Sequence, residues 1–129
     1  SDQAETTVDS RFLDGIDTDG YDYVITSQEQ ADELRVSDDS KSILVACGSV
    51  YLSGITAGTI TIRNTTKIQL SNVTAKALDI SQGTAISFTG VKADQLLIAG
   101  EKTEESSLQI DSETNISKLE LNGGQAVTL

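Results

Sequence analysis

An 18-residue repeat limits what this chain can fold into. Copies begin at Val50, Ile68, Ile86 and Leu108, and a fifth begins at Val127. The first three read VYLSGITAGTITIRNTTK, IQLSNVTAKALDISQGTA and ISFTGVKADQLLIAGEKTEESS. Each copy is too short to bury its own apolar side, so it must stack on its neighbours, and that is a solenoid. Apolar residues fall in alternating pairs. The first pairs are Val50/Leu52, Ile68/Leu70, Ile86/Phe88 and Leu108/Ile110; the second are Ile60/Ile62, Leu78/Ile80, Leu96/Ile98 and Leu119/Leu121. A period of two puts both members of a pair on one side of a strand. Between the pairs, Gly54, Asn72 and Gly90 align, with Ser112 in the fourth copy. Gly and Asn tolerate a left-handed backbone best, which predicts a repeated corner. Ile55, Val73 and Val91 then turn inward, and Ala57, Ala75 and Ala93 mark a tight place.

The expected fold is therefore all-β: a single-stranded parallel β-helix, or β-solenoid, of 18-residue coils, about five in number. Residues 43–129 form the solenoid, residues 23–42 an N-terminal cap with a short helix, and residues 1–22 an acidic, partly disordered leader. Ser27-Gln28-Glu29-Gln30 fits a helix capping box, and Ala31 and Leu34 give that helix a small apolar face to lay over the first coil. An irregular early strand through Leu34 and Val36 is the alternative. The C-terminal end is expected to be uncapped, which allows end-to-end self-association through Val127–Leu129.

The fourth copy departs from the pattern. Four extra residues enter through Gly100–Ser107, and Glu113 stands where Ile55, Val73 and Val91 stood, so Ile116 is expected to turn inward instead.

Composition narrows function. Net charge is −11, but residues 1–41 carry 12 acidic and 3 basic side chains, whereas residues 42–129 carry 8 and 6. Without clustered Lys and Arg, nucleic acid is not an expected partner. No run approaches the roughly 20 apolar residues of a membrane helix, so membrane insertion is not expected either. There is no histidine, which removes the commonest general base and metal ligand. Asp79, Asp94, Asp111, Glu113 and Glu120 occupy different positions in the coil, so they do not form a facing pair. Cys47 lies in the apolar run Ile43–Cys47 and reads as a buried structural thiol.

The rhythm of Val50-Tyr51-Leu52 and Ile60-Thr61-Ile62, with its Gly/Asn corners, resembles small right-handed parallel β-helices. It is similar to the C-terminal β-helix of cyclase-associated proteins and tubulin cofactor C. The run Tyr23–Ser27, a short helix and Ile43-Leu44-Val45 also look like the entry to pectin-lyase-like β-helices. The resemblance is one of spacing and covers residues 43–129. A left-handed hexapeptide helix would place aliphatic residues at Thr56 and Thr74, and it is disfavoured for that reason.

Four readings of sites follow. Asp14, Asp17, Asp19 and Asp22 offer hard oxygen ligands to calcium, the one cofactor considered. Asn64, Asn72 and Asn115 begin glycosylation sequons. Outward Thr56, Thr61 and Thr74 resemble an ice-binding ladder that breaks at Lys92 and Leu97. The candidate interaction surface is the outward column Tyr51, Gln69, Ser87 and Gln109, with the inserted residues Glu101, Lys102, Glu104 and Glu105. The expected function is a non-enzymatic structural or binding module, part of a larger secreted or cell-surface protein, with a protein or glycan as partner. A carbohydrate-binding or carbohydrate-acting β-helix is the first alternative. A cytoplasmic cytoskeletal-binding or self-polymerising β-helix is the second.

Overall fold

A computed structural model describes residues 13, 15–81, 84–99, 107–121 and 127–128. The chain is a parallel β-solenoid of about four turns. About five were expected; the fifth copy contributes β11 (Val127–Thr128) alone.

Two parallel sheets run along the stack. Sheet A has the order β1 (Tyr23–Ile25), β2 (Ser37–Val45), β4 (Thr56–Ile62), β6 (Thr74–Ser81), β8 (Lys92–Ala99), β10 (Asn115–Leu121). Sheet B runs β11, β9 (Ser107–Ile110), β7 (Ala85–Thr89), β5 (Lys67–Ser71), β3 (Ser49–Ser53). The expected pairs stack rung on rung: Val50 on Ile68, Ile86 and Leu108, and Ile60 on Leu78, Leu96 and Leu119. Nearly every one of these inward side chains is fully buried, and Phe88 is the largest of them. The Ile/Val-plus-Ala edge is not separate from the second strand. Ala57 and Ile60 both face the core, so β4 bends over the two residues between them while its ladder continues.

The corners form as expected at Gly54 (φ 70°), Asn72 (φ 54°) and Gly90 (φ 61°). Each N–H there bonds onward: Gly54 to the Ser71 carbonyl, Asn72 to the Thr89 carbonyl. At Gly90 the next coil has drifted, and a side chain completes the bond instead. Asp111 Oδ1 accepts from Gly90 N at 3.0 Å and from Thr114 Oγ1 at 2.7 Å, while Thr114 Oγ1 accepts from Val91 N at 3.1 Å. The corner of that next coil holds one residue more than the earlier ones, so Thr114 and not Glu113 comes to lie beside Val91, while Ile116 pairs with Ala93 and packs half-buried on the core.

The N-terminal side differs from expectation in one respect. The boundary placed between residues 42 and 43 lies inside β2, which pairs with both β1 and β4, so sheet A begins at Tyr23. The repeat does not extend that far back, and its pattern gave no sign of the strand. Helix α1 (Gln28–Glu33) forms where the capping box placed it. Ser27 Oγ accepts from Gln30 N, and Gln30 Oε1 accepts from Thr26 N. Ala31 and Leu34 join the core. In the described part of the leader, Leu13, Ile16 and Thr18 are half-buried, while Gly15, Asp17 and Asp19 are exposed. Leu44 and Thr61 point out of sheet A yet are buried, so Thr61 is not an exposed threonine.

Strand β2 bulges between Asp38 and Ser42, opposite Gly58. A Cβ on Gly58 would lie 2.5 Å from the Asp39 carbonyl oxygen. Gly58→Ala should therefore lower stability by about 1–3 kcal/mol, read from urea denaturation. A variant as stable as the parent would refute this packing.

Candidate functional site

The outer face of sheet B is built by alternation. In β3, β5, β7 and β9 every second side chain goes to the core, and the rest form flat parallel columns. One column is Tyr51, Gln69, Ser87 and Gln109, each in register with the next. The structure thus brings together the four sheet residues expected to form an interaction surface. Beside them runs a second column, Ser49, Lys67, Ala85 and Ser107. None of these four strands carries a carboxylate, although the chain has 20 acidic residues. The strands of sheet A carry Asp38, Asp39, Asp79, Asp94 and Glu120.

Tyr51 is 45% exposed, and its backbone is held from the helix. Gln28 Nε2 donates to the Tyr51 carbonyl at 2.9 Å, and Tyr51 N donates to Gln28 Oε1 at 2.8 Å. One side-chain amide thereby replaces a neighbouring strand at the free edge of β3. Gln28 is fixed further by a 2.8 Å bond from Nε2 to Asp32 Oδ1.

Hollows lie on both sides of Tyr51. One of about 340 Å³ is lined by Gln28, Ser49, Val50, Tyr51, Lys67 and Gln69, and one of about 390 Å³ by Asp32, Arg35, Ser53 and Gly54 among others. A shallower hollow of about 110 Å³ continues from Lys67 and Gln69 to Ser107 and Gln109. Lys67 therefore borders two adjoining hollows. Sequence reasoning passed over it, yet the signal was there: Lys67 and Gln69 are two apart on one strand and share a face.

A further hollow of about 210 Å³ lies on the outer face of sheet A, with Thr59, Asp79, Gln95, Leu97, Lys118 and Glu120 in its lining. Asp79 is engaged there by Arg63, whose Nη1 and Nη2 meet its two carboxylate oxygens at 3.1 and 3.0 Å. Half-exposed as it is, this fork contributes little to stability.

Two of the carboxylates expected to bind calcium accept hydrogen bonds within the protein. Asp17 Oδ1 accepts from Asp19 N at 2.9 Å, and Asp22 Oδ2 accepts from Ser42 N at 2.8 Å. Among the described residues no three acidic, histidine or cysteine side chains gather as a metal site. Asp14, Glu101, Lys102, Glu104 and Glu105 lie outside the described residues. Asn64 and Asn72 are exposed at positive-φ corners, and Asn115 is exposed on β10.

No protein-family model, no curated protein and no solved structure matches this chain.

Two titrations give checks on this geometry. Burial pushes the Cys47 thiol up to about 11, so at neutral pH it stays protonated and its Sγ–H faces the Ser49 carbonyl at 3.3 Å. Iodoacetamide should label the native protein roughly a hundredfold more slowly than the urea-unfolded chain; equal rates would contradict this. The bonds from Gly90 N and Thr114 hold the Asp111 carboxyl below its usual range. A depressed carboxyl pKa stabilises the fold above the unfolded value and loses that effect as pH falls through the folded value. Asp111→Ala should therefore melt lower than the parent at pH 7, with the gap closing below about pH 3–4. A gap that persists in acid would show that the carboxylate is not the cause.

Proposed function

We propose that this protein is a non-enzymatic binding module. It serves as a rigid β-solenoid arm of a secreted or cell-surface protein and engages its partner through the outer face of sheet B. The observation that carries this reading is the in-register column Tyr51, Gln69, Ser87 and Gln109 on strands β3, β5, β7 and β9, which carry no carboxylate. An exposed aromatic ring beside rows of amide and hydroxyl groups suits a hydroxyl-rich ligand. The ring takes the C–H face of a sugar, and Gln and Ser exchange hydrogen bonds with its hydroxyls. A glycan is accordingly the partner class favoured. The chain's lack of histidine supports recognition over catalysis.

A glycan array probed with the parent and with a Tyr51→Ala/Gln69→Ala/Gln109→Ala variant tests the reading. The variant should keep its melting temperature and lose the parent's signals. Signals shared equally by both proteins would overturn the assignment of this face.

One observation favours a second reading, association end to end. Leu119, the last rung of the ladder from Ile60, is 42% exposed. Gln28 occupies the opposite edge of sheet B, while β1 is the opposite edge of sheet A, so the association considered is isologous, Leu119 end to Leu119 end. Light scattering should then show mass rising to a dimer with concentration, and Leu119→Lys should abolish the rise. A monomer at all concentrations would exclude it.

A further inference from the structure

We infer that the sheet B face takes an anionic saccharide, with the ligand's acidic group held by Lys67, in the column beside Tyr51 and Gln69. This rests on the reading of that face as the binding surface.

The argument begins with where charge has been left out. In a chain of net charge −11, no carboxylate among the described residues lines the hollow between Tyr51 and Lys67 or the one that continues to Gln109. Lys67 borders both. Two other surface cations are paired, Arg63 with Asp79 and Lys76 with Asp39, but among the described residues Lys67 has no ion-pair partner. The polar groups that line these hollows with it, among the described residues, are amides, hydroxyls and the Tyr51 ring. At physiological ionic strength, charges farther than about 8 Å are largely screened. Most of the molecule's acidity is therefore screened from this hollow; Asp32, bonded to the lining residue Gln28, is a described carboxylate that adjoins it.

The hollow on the other side of Tyr51 is different. It contains Asp32 as well as Arg35, whose Nη1 is engaged by the Asp32 and Leu34 carbonyls at 2.7 and 3.0 Å. An anion is thus favoured on the Lys67 side of the ring only. This sets a direction: a sugar ring lies on Tyr51, its carboxylate or sulfate reaches Lys67, and the following residues run over Gln69, Ser87 and Gln109. The platform is preorganised, because Gln28 fixes the Tyr51 backbone through both of its polar groups.

Calorimetric titration with three hexasaccharides tests this: an oligouronate, an O-sulfated oligosaccharide and an uncharged hexaglucoside. At least one anionic probe should bind the parent about two- to fivefold tighter than the uncharged one, the range expected of one exposed charge contact. Whichever anion binds tighter distinguishes the carboxylated from the sulfated source. Lys67→Gln should erase that preference without changing the melting temperature. Lys118→Gln, on the outer face of sheet A, should leave it intact. Equal binding of charged and uncharged probes, a preference that survives Lys67→Gln, or no binding of any probe would overturn the inference. If the uncharged probe binds as well as the others and Tyr51→Ala abolishes it, the charge inference fails while the binding face stands. If Tyr51→Ala binds as the parent does, both fail.

Discussion

Everything in this structure depends on inward aliphatic side chains stacking at the same position in successive coils. Ile60, Leu78 and Leu96 lie on one another, and Ile62, Ile80 and Ile98 do the same. Because side chains alternate faces every residue, a slip of one position would turn each ladder out to water. The register is therefore fixed by burial. Once it is fixed, the outer columns are fixed as well. Tyr51, Gln69, Ser87 and Gln109 align because Val50 and Leu52 stack on Ile68, Ile86 and Leu70, Phe88. The column proposed as a recognition face is a consequence of the core.

A stack also has to end, and here side chains take over where backbone partners stop. Gln28 presents one amide to the edge of β3 in the manner of a strand. Asp111 and Thr114 do similar work within the stack, accepting from Gly90 N and Val91 N where the lengthened corner takes the backbone out of reach. Both devices satisfy groups that would otherwise lack partners at a sheet edge or corner.

Much of the fold was legible in the sequence, because each copy confirmed the others. The corner glycines, the Asn72 turn and the inward Ile116 all follow from comparing positions 18 residues apart or noting where that comparison fails. The helix was legible from local capping chemistry at Ser27 and Gln30. Strand β2 was not, because its polar first half, Ser37–Lys41, bulges and carries no repeat pattern. Nor does the alternation of a single strand reveal that Leu44 is covered from outside, since that burial depends on tertiary packing. On the candidate site, the column through Tyr51 followed from period two. Lys67 was overlooked for want of a repeated partner, since Ser49, Ala85 and Ser107 share its column.

The described strands of the two sheets differ in charge, and the proposed binding face rests on that difference. Acidic groups lie on the strands of sheet A, while sheet B presents hydroxyls, amides, Tyr51 and Lys67. The most direct test of the account is to map ligand contact residue by residue, by following backbone amide resonances in an NMR titration with the tighter-binding anionic hexasaccharide. The account predicts shifts confined to Ser49–Ser53, Lys67–Ser71, Ala85–Thr89 and Ser107–Ile110, with Lys67 and Gln69 among the largest. Shifts centred on the outer face of sheet A, or an unchanged spectrum at saturating ligand, would contradict it.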